Sequence, residues 1–125
     1  MPDKPKVLII DDDEQFTLLL AGHLRSAGYP SVTAVDAMQG FMFAQRESPG
    51  LILLDINMPA GGGLSLLGRL VKSVRTQLIP VIVVTARAEP EIEAQTRATG
   101  AVGFLHKPVD RDTLLAAVAA ALTPA

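Results

Sequence analysis

The chain has no cysteine and no tryptophan, a single tyrosine, and an aromatic content of 4%. Without cysteine it forms neither disulfides nor thiolate metal sites, a composition compatible with a reducing compartment. With so few rings, the core must be built from Val, Leu, Ile and Ala. Excess positive charge is missing too. Eleven Lys and Arg against 13 Asp and Glu leave a formal net charge of -2, so the clustered basic surface of a DNA- or RNA-binding domain is not expected. Long apolar runs are also lacking. The first, after "MPDKPK", ends within four residues, too short for a membrane span or a signal-peptide core. These absences predict a soluble, cytoplasmic protein with no direct contact to nucleic acid or membrane.

The chain is long enough for one compact domain. Its 125 residues are near the commonest domain size, and 49% hydrophobic with 19% charged residues describes an ordinary globular core. One domain over 1–125 is expected, with residues 1–5 and 123–125 as tails. The closing "ALTPA" suits the end of a single-domain protein or the start of a linker equally well.

Five short apolar runs recur every 20 to 29 residues: "KVLII" at 6–10, "SVTAV" at 31–35, "LILL" at 51–54, "PVIVV" at 80–84 and "VGFL" at 102–105. Between them lie segments with helical spacing: Phe16, Leu19, Leu20 and Leu24; Leu64, Leu67, Leu70, Val71 and Val74; Leu114, Leu115, Val118 and Leu122. Gly and Pro punctuate the passages back to strand, as in "AGYP", "SPG", "QLIP" and "TGAVG". Runs that are apolar throughout suit parallel strands covered on both faces. The predicted fold is α/β, a (βα)5 doubly wound, five-stranded parallel sheet of flavodoxin-like form. In such sheets, sites lie at the carboxyl ends of the strands.

The predicted strand ends carry chemistry. Asp11, Asp12 and Asp13 follow the first strand, Asp55 the third, Thr85 the fourth, and Lys107 comes just after the fifth. Asp13 and Glu14 suit the first turn of a helix, and Asp36 could start another, but one cap does not need three aspartates in a row. Carboxylates converging from two strands repel by about 4 kcal/mol at 4 Å and an effective dielectric of about 20. Something positive has to sit among them. Hard carboxylates without His or Cys nearby suit Mg²⁺, which commonly completes its shell with phosphate oxygens.

Taken in order, "IIDDDE", "LLDINMP", "VVTA" and "FLHKP" resemble the receiver domain of two-component response regulators, over essentially the whole chain. The resemblance implies that Asp55 accepts a phosphoryl group from a sensor histidine kinase or a phosphotransfer protein. It implies that Asp11, Asp12, Asp55 and the backbone carbonyl of Asn57 hold Mg²⁺ or Mn²⁺. Lys107 matches the lysine that pairs with the phosphoryl group, and Pro108 follows it where the family usually has a cis bond. Thr85 matches the switch hydroxyl and Phe104 the aromatic switch, with small Ala86 leaving room beside the phosphate. The surface of the fourth helix, fifth strand and fifth helix would then change shape to control an output domain or effector protein. Homodimers through that face occur in the family, and the sequence leaves this open. Asn57 and Arg87 stand where the family tunes loss of the phosphoryl group.

Two departures are visible. Phe104 lacks the hydroxyl that many relatives carry as tyrosine, and "MPAGGG" at 58–63 has three glycines where relatives often have Asp-Gly, which suggests a mobile entry to the third helix. Met58 and Pro59 are expected to be structural, His23 to be surface or packing, and His106 to have no fixed role in the family. The self-catalysed gain and loss of phosphate implied here is regulatory, not that of a turnover enzyme. A haloacid-dehalogenase-type phosphatase is the competing enzyme reading, but it would carry an aspartate where this chain has Asn57. A receiver-like binding module that works without phosphorylation is the other alternative.

Overall fold

A computed structural model describes residues 4–59, 62–87 and 89–123. Five strands alternate with five helices: β1 (Val7–Ile10), α1 (Glu14–Ser26), β2 (Ser31–Ala34), α2 (Ala37–Glu47), β3 (Leu51–Leu54), α3 (Gly62–Lys72), β4 (Val81–Thr85), α4 (Pro90–Thr99), β5 (Gly103–His106) and α5 (Arg111–Leu122). All neighbouring strands run parallel, in the order β2-β1-β3-β4-β5. This is the doubly wound flavodoxin-like sheet expected from the strand spacing.

Successive strand residues point to opposite faces, and both faces are buried, which is why the strands read as unbroken apolar runs. On one face Leu8, Ile10, Ile52, Leu54, Val81 and Val83 pack beneath α2 and α3, which contribute Ala44, Leu66, Leu67 and Leu70. On the other, Val7, Ile9, Leu51, Leu53, Ile82 and Val84 meet Leu20 and Leu24 of α1 and Leu114 and Val118 of α5. Each such Val, Leu or Ile side chain contributes roughly 1.5–3 kcal/mol when fully buried. Three of the helices, α1, α2 and α5, start on acidic caps. Asp13 and Asp36 accept hydrogen bonds from the Phe16 and Gln39 amides, at 3.1 and 2.8 Å, and Asp110 accepts from the Thr113 amide at 3.1 Å.

Several boundaries differ from the sequence reading by one residue. Pro80 has no N–H for the ladder, so β4 begins at Val81 and runs on through Thr85. Val35 falls outside β2 and is exposed, and Val102 is exposed ahead of β5, which starts at Gly103 and includes His106. Two residues of the helically spaced sets lie outside the core. Val74 falls beyond the end of α3 and is 85% exposed, and Leu19 is 50% exposed because α1 turns Thr17, Leu20 and Leu24 inward. Lys4, expected in the tail, donates a hydrogen bond to the Ala27 carbonyl at 2.6 Å.

The glycine loop has a steric side that composition does not reveal. Ala60 and Gly61 lie outside the described residues, but Gly63 sits in the first turn of α3, against the backbone after β3. A Cβ there would stand 2.2 Å from Ile56 Cα and 2.5 Å from the Asp55 carbonyl oxygen. Only glycine lets α3 approach this closely.

Candidate functional site

The sheet register assembles the site. Ile10 pairs with Leu54 across β1 and β3, so Asp11 and Asp55, the next residue on each strand, emerge side by side. Hydrogen bonds carry the ladder past the strand ends: the Asp55 N–H donates to the Ile10 carbonyl at 3.0 Å and the Asp11 N–H to the Ala34 carbonyl at 3.0 Å. On the other side Thr85 pairs with His106, and the Lys107 N–H donates to the Thr85 carbonyl at 2.9 Å. Residues far apart in sequence therefore meet through backbone held by a rigid sheet. The Lys107–Pro108 peptide bond is cis.

The Lys107 Nζ bridges two carboxylates, at 2.8 Å from Asp11 Oδ2 and 3.3 Å from Asp55 Oδ2. Both acids are buried, 2% and 5% exposed, whereas Asp12 is exposed at the rim. Each of the three offers an oxygen within 4.8 Å of the others'. The remaining oxygens are held in tight turns: Asp55 Oδ1 accepts from the Asn57 N–H and Asp11 Oδ1 from the Asp13 N–H, both at 2.9 Å. These bonds fix both carboxylates in orientation.

Electrostatics leave the cluster short of positive charge. Burial pushes the Asp11 carboxyl above its usual range, and the Asp55 charge adds to this. The hydrogen bonds from Lys107 and the Asp13 amide act in the opposite direction but do not cancel it. Burial works against the charge on Lys107, yet its hydrogen bond to Asp11 and the attraction of both carboxylates raise its pKa above 10.5. The ammonium therefore remains charged. One cation for three clustered acids leaves room for another.

The structure places the other sequence candidates around this centre. Thr85 ends β4 instead of following it, fully buried, and its hydroxyl accepts the Arg87 N–H at 3.3 Å. Phe104 lies half-buried on β5 and packs on the edge of the core beneath α2 and α3. It also borders a groove of about 410 Å³ shared with Arg97 of α4 and Ala117, Ala120 and Ala121 of α5. Asn57 is exposed, its amide committed to Asp55. Sequence reading missed one participant, Phe16. Its ring lies 4.2 Å below the Lys107 ammonium, a cation–π contact that supports the lysine from the α1 side. Helical spacing marked Phe16 only as an apolar residue of α1, and nothing in that spacing points to Lys107.

A parallel sheet with an acid cluster and a lysine at its carboxyl edge defines a class of phosphoryl- or cation-binding α/β domains. The comparisons place the chain within that class. The family model for the response regulator receiver domain matches residues 7–119, and the chain belongs to this family. It is 38% identical over 118 residues to the DNA-binding dual master transcriptional regulator RpaA of Synechocystis, a match covering 94% of the chain and 49% of RpaA. It is 33% identical over 117 residues to Protein PilH of Pseudomonas aeruginosa, covering 94% of the chain and 97% of PilH. The chain thus spans about half of one relative and nearly all of the other. Among solved structures, chemotaxis protein CheY4 of Vibrio cholerae superposes with a TM-score of 0.88 at 30% identity, covering 94% of the chain and 98% of CheY4. The chain is a phosphoacceptor signalling domain of the two-component type. No helix among the described residues is long and apolar enough to cross a membrane.

Proposed function

We propose that Asp55 is the phosphoacceptor, taking a phosphoryl group from a phosphohistidine on a sensor histidine kinase or phosphotransfer protein. The observation that carries this is the Lys107 ammonium bridging Asp11 and Asp55, with Asp12 beside them. An Asp55 oxygen attacks phosphorus, the phosphorus–nitrogen bond breaks, and the imidazole leaves with the bonding pair. The Asn57 N–H, bonded to the other Asp55 oxygen, fixes the carboxylate for this attack. Lys107 pairs with a phosphoryl oxygen of the product and neutralises part of its added charge.

The donor set fits a hard cation: three clustered carboxylates, with no His or Cys among them. Asp11, Asp12, Asp55 and the Asn57 carbonyl would hold Mg²⁺ or Mn²⁺. Bound there, the ion supplies the positive charge that lets a phosphoryl group approach the acids. Thr85 then turns its hydroxyl from the Arg87 amide toward the phosphoryl group, Phe104 moves into the space released, and the α4–β5–α5 face changes shape for an output domain or effector. Phosphorylation selects between two arrangements that already interconvert. The domain is regulatory, and its gain and loss of phosphate are its own self-catalysed chemistry.

Intact-mass analysis after incubation with acetyl phosphate tests this reading, on wild type and Asp55→Asn, with and without Mg²⁺. One phosphoryl group that requires Mg²⁺ and is lost in the variant supports it. No adduct on the folded wild type, without rapid hydrolysis of the donor, would overturn it.

A further inference from the structure

Lys107 reaches the site on a long, flexible stem. Among the described residues its ammonium has polar partners in Asp11 and Asp55 alone, at 2.8 and 3.3 Å. It also stands over the face of the Phe16 ring, 4.2 Å from the centroid. That ring is well anchored. The Phe16 amide donates to the Asp13 cap at 3.1 Å in the first turn of α1, and the half-buried side chain packs against the core cluster beneath α1 and α5. The lysine is therefore held by two kinds of contact, and a cation affects them differently. Asp11, Asp12 and Asp55 bring three carboxylates within 4.8 Å of one another. A divalent ion held there cancels two of the three negative charges, and the pull on the ammonium falls accordingly. The ring has no net charge for the ion to cancel, because its attraction comes from the quadrupole of its face.

We infer that Phe16 is a positioning residue that keeps the Lys107 ammonium at the site while a divalent cation occupies the acids. This rests on the proposed phosphoryl site, where the lysine has to be in place when the group arrives. If the lysine is in place only part of the time, apparent affinity for the phosphoryl group falls by that fraction. The Lys107 side chain is 18% exposed, and a cation–π contact so far shielded from water changes such an occupancy by about twofold to tenfold. Leucine at 16 keeps apolar packing but has no π face, whereas tyrosine keeps the face. The two substitutions separate the attraction of the ring from its bulk.

The test has two readouts. Carbon NMR of protein labelled at lysine Cε gives lines for Lys4, Lys6, Lys72 and Lys107, and Lys107→Arg assigns the last by its loss. Relaxation of that line reports how far the stem is ordered. In EDTA the acids hold the ammonium, so Lys107 is expected to be ordered in wild type, Phe16→Leu and Phe16→Tyr alike. With saturating Mg²⁺ it should stay ordered in wild type and Phe16→Tyr and become mobile in Phe16→Leu. The second readout is a fluorine NMR titration with beryllofluoride, standing in for the phosphoryl group, in saturating Mg²⁺. Phe16→Leu should bind it about twofold to tenfold more weakly, and Phe16→Tyr as wild type does. The inference is overturned by a Lys107 that is as ordered in Phe16→Leu as in wild type under Mg²⁺, by unchanged beryllofluoride affinity in folded Phe16→Leu, or by a Phe16→Tyr protein that follows leucine. A wild-type lysine that turns mobile on addition of Mg²⁺ overturns it as well. Mobility of Phe16→Leu already in EDTA does the same, since it marks lost packing and not a hold that matters under the cation. Beryllofluoride that fails to bind the wild type in Mg²⁺ overturns instead the phosphoryl-site reading on which the inference rests.

Discussion

Replacing Asp55 by Asn is expected to stabilise the metal-free protein. Asp11 and Asp55 have carboxylate oxygens within 4.8 Å of each other, a repulsion of about 3 to 4 kcal/mol at an effective dielectric of about 20. Asp12 adds a weaker, solvent-screened share. The attraction of Lys107 to Asp55 across 3.3 Å is about 5 kcal/mol on the same scale, so the charge terms nearly cancel. What remains is desolvation of a carboxylate that is only 5% exposed, which costs several kcal/mol and which a neutral amide largely avoids. Asparagine also keeps the oxygen that accepts the Asn57 N–H, and Lys107 keeps its 2.8 Å bond to Asp11. The expected net gain is about 1 to 3 kcal/mol, or roughly 3 to 12 °C in Tm for a domain of this size. Thermal unfolding followed by circular dichroism in EDTA measures it. Addition of Mg²⁺ should then raise the wild-type Tm more than the variant's, because the cation relieves the same repulsion. A lower Tm for Asp55→Asn in EDTA, or equal stabilisation of both proteins by Mg²⁺, would refute the view that the acids strain the fold.

Lys107→Met leaves two buried acids without their cation. It should destabilise the metal-free protein by about 3 kcal/mol, read as a lower urea midpoint, with the loss reduced in Asp55→Asn/Lys107→Met. Gly63→Ala should cost about 3 kcal/mol or more, because its Cβ would overlap the backbone at Ile56 and Asp55, neither of which can give way without moving β3; urea unfolding checks this. Asp13→Ala should lower stability by about 1 kcal/mol through loss of the α1 cap, while acetyl phosphate labelling of Asp55 continues at the wild-type yield. In EDTA, Asp11 binds its proton more tightly folded than unfolded, so its ionisation weakens the fold. Its contribution to stability should therefore grow as pH falls through its raised pKa toward 3.8 and level off below that. Asp11→Asn should remove this component from a series of melts against pH.

Much of the site was legible because each participant stands next to an apolar run. A run buried on both faces has to end where the sheet does, so Asp11, Asp55 and Lys107 could be assigned to one edge without coordinates. Thr85 shows the margin of that logic, since its pairing with His106 carries β4 one residue further and makes the hydroxyl the last strand position. Leu19 and Val74 show another weakness. Spacings of three and four residues mark a helical face, but the neighbours decide which side of α1 is inward and where α3 stops. Phe16 was illegible as a participant because an aromatic residue's spacing is the same whether its ring meets a leucine or an ammonium. Gly63 looked like one of three permissive glycines until the backbone of Ile56 stood where its Cβ would be.

The sequence by itself determined the alternation of strands and helices and the chemical groups at the strand ends, because β-branched runs, Gly and Pro punctuation and acidic caps act over a few residues. Only the tertiary structure decided which groups touch. Lys107 meets Asp11 across 96 residues and Asp55 across 52, and those contacts depend on the pairing of Ile10 with Leu54 and of Thr85 with His106. Register is set by packing on both faces of the whole sheet, and no local stretch of chain contains that information.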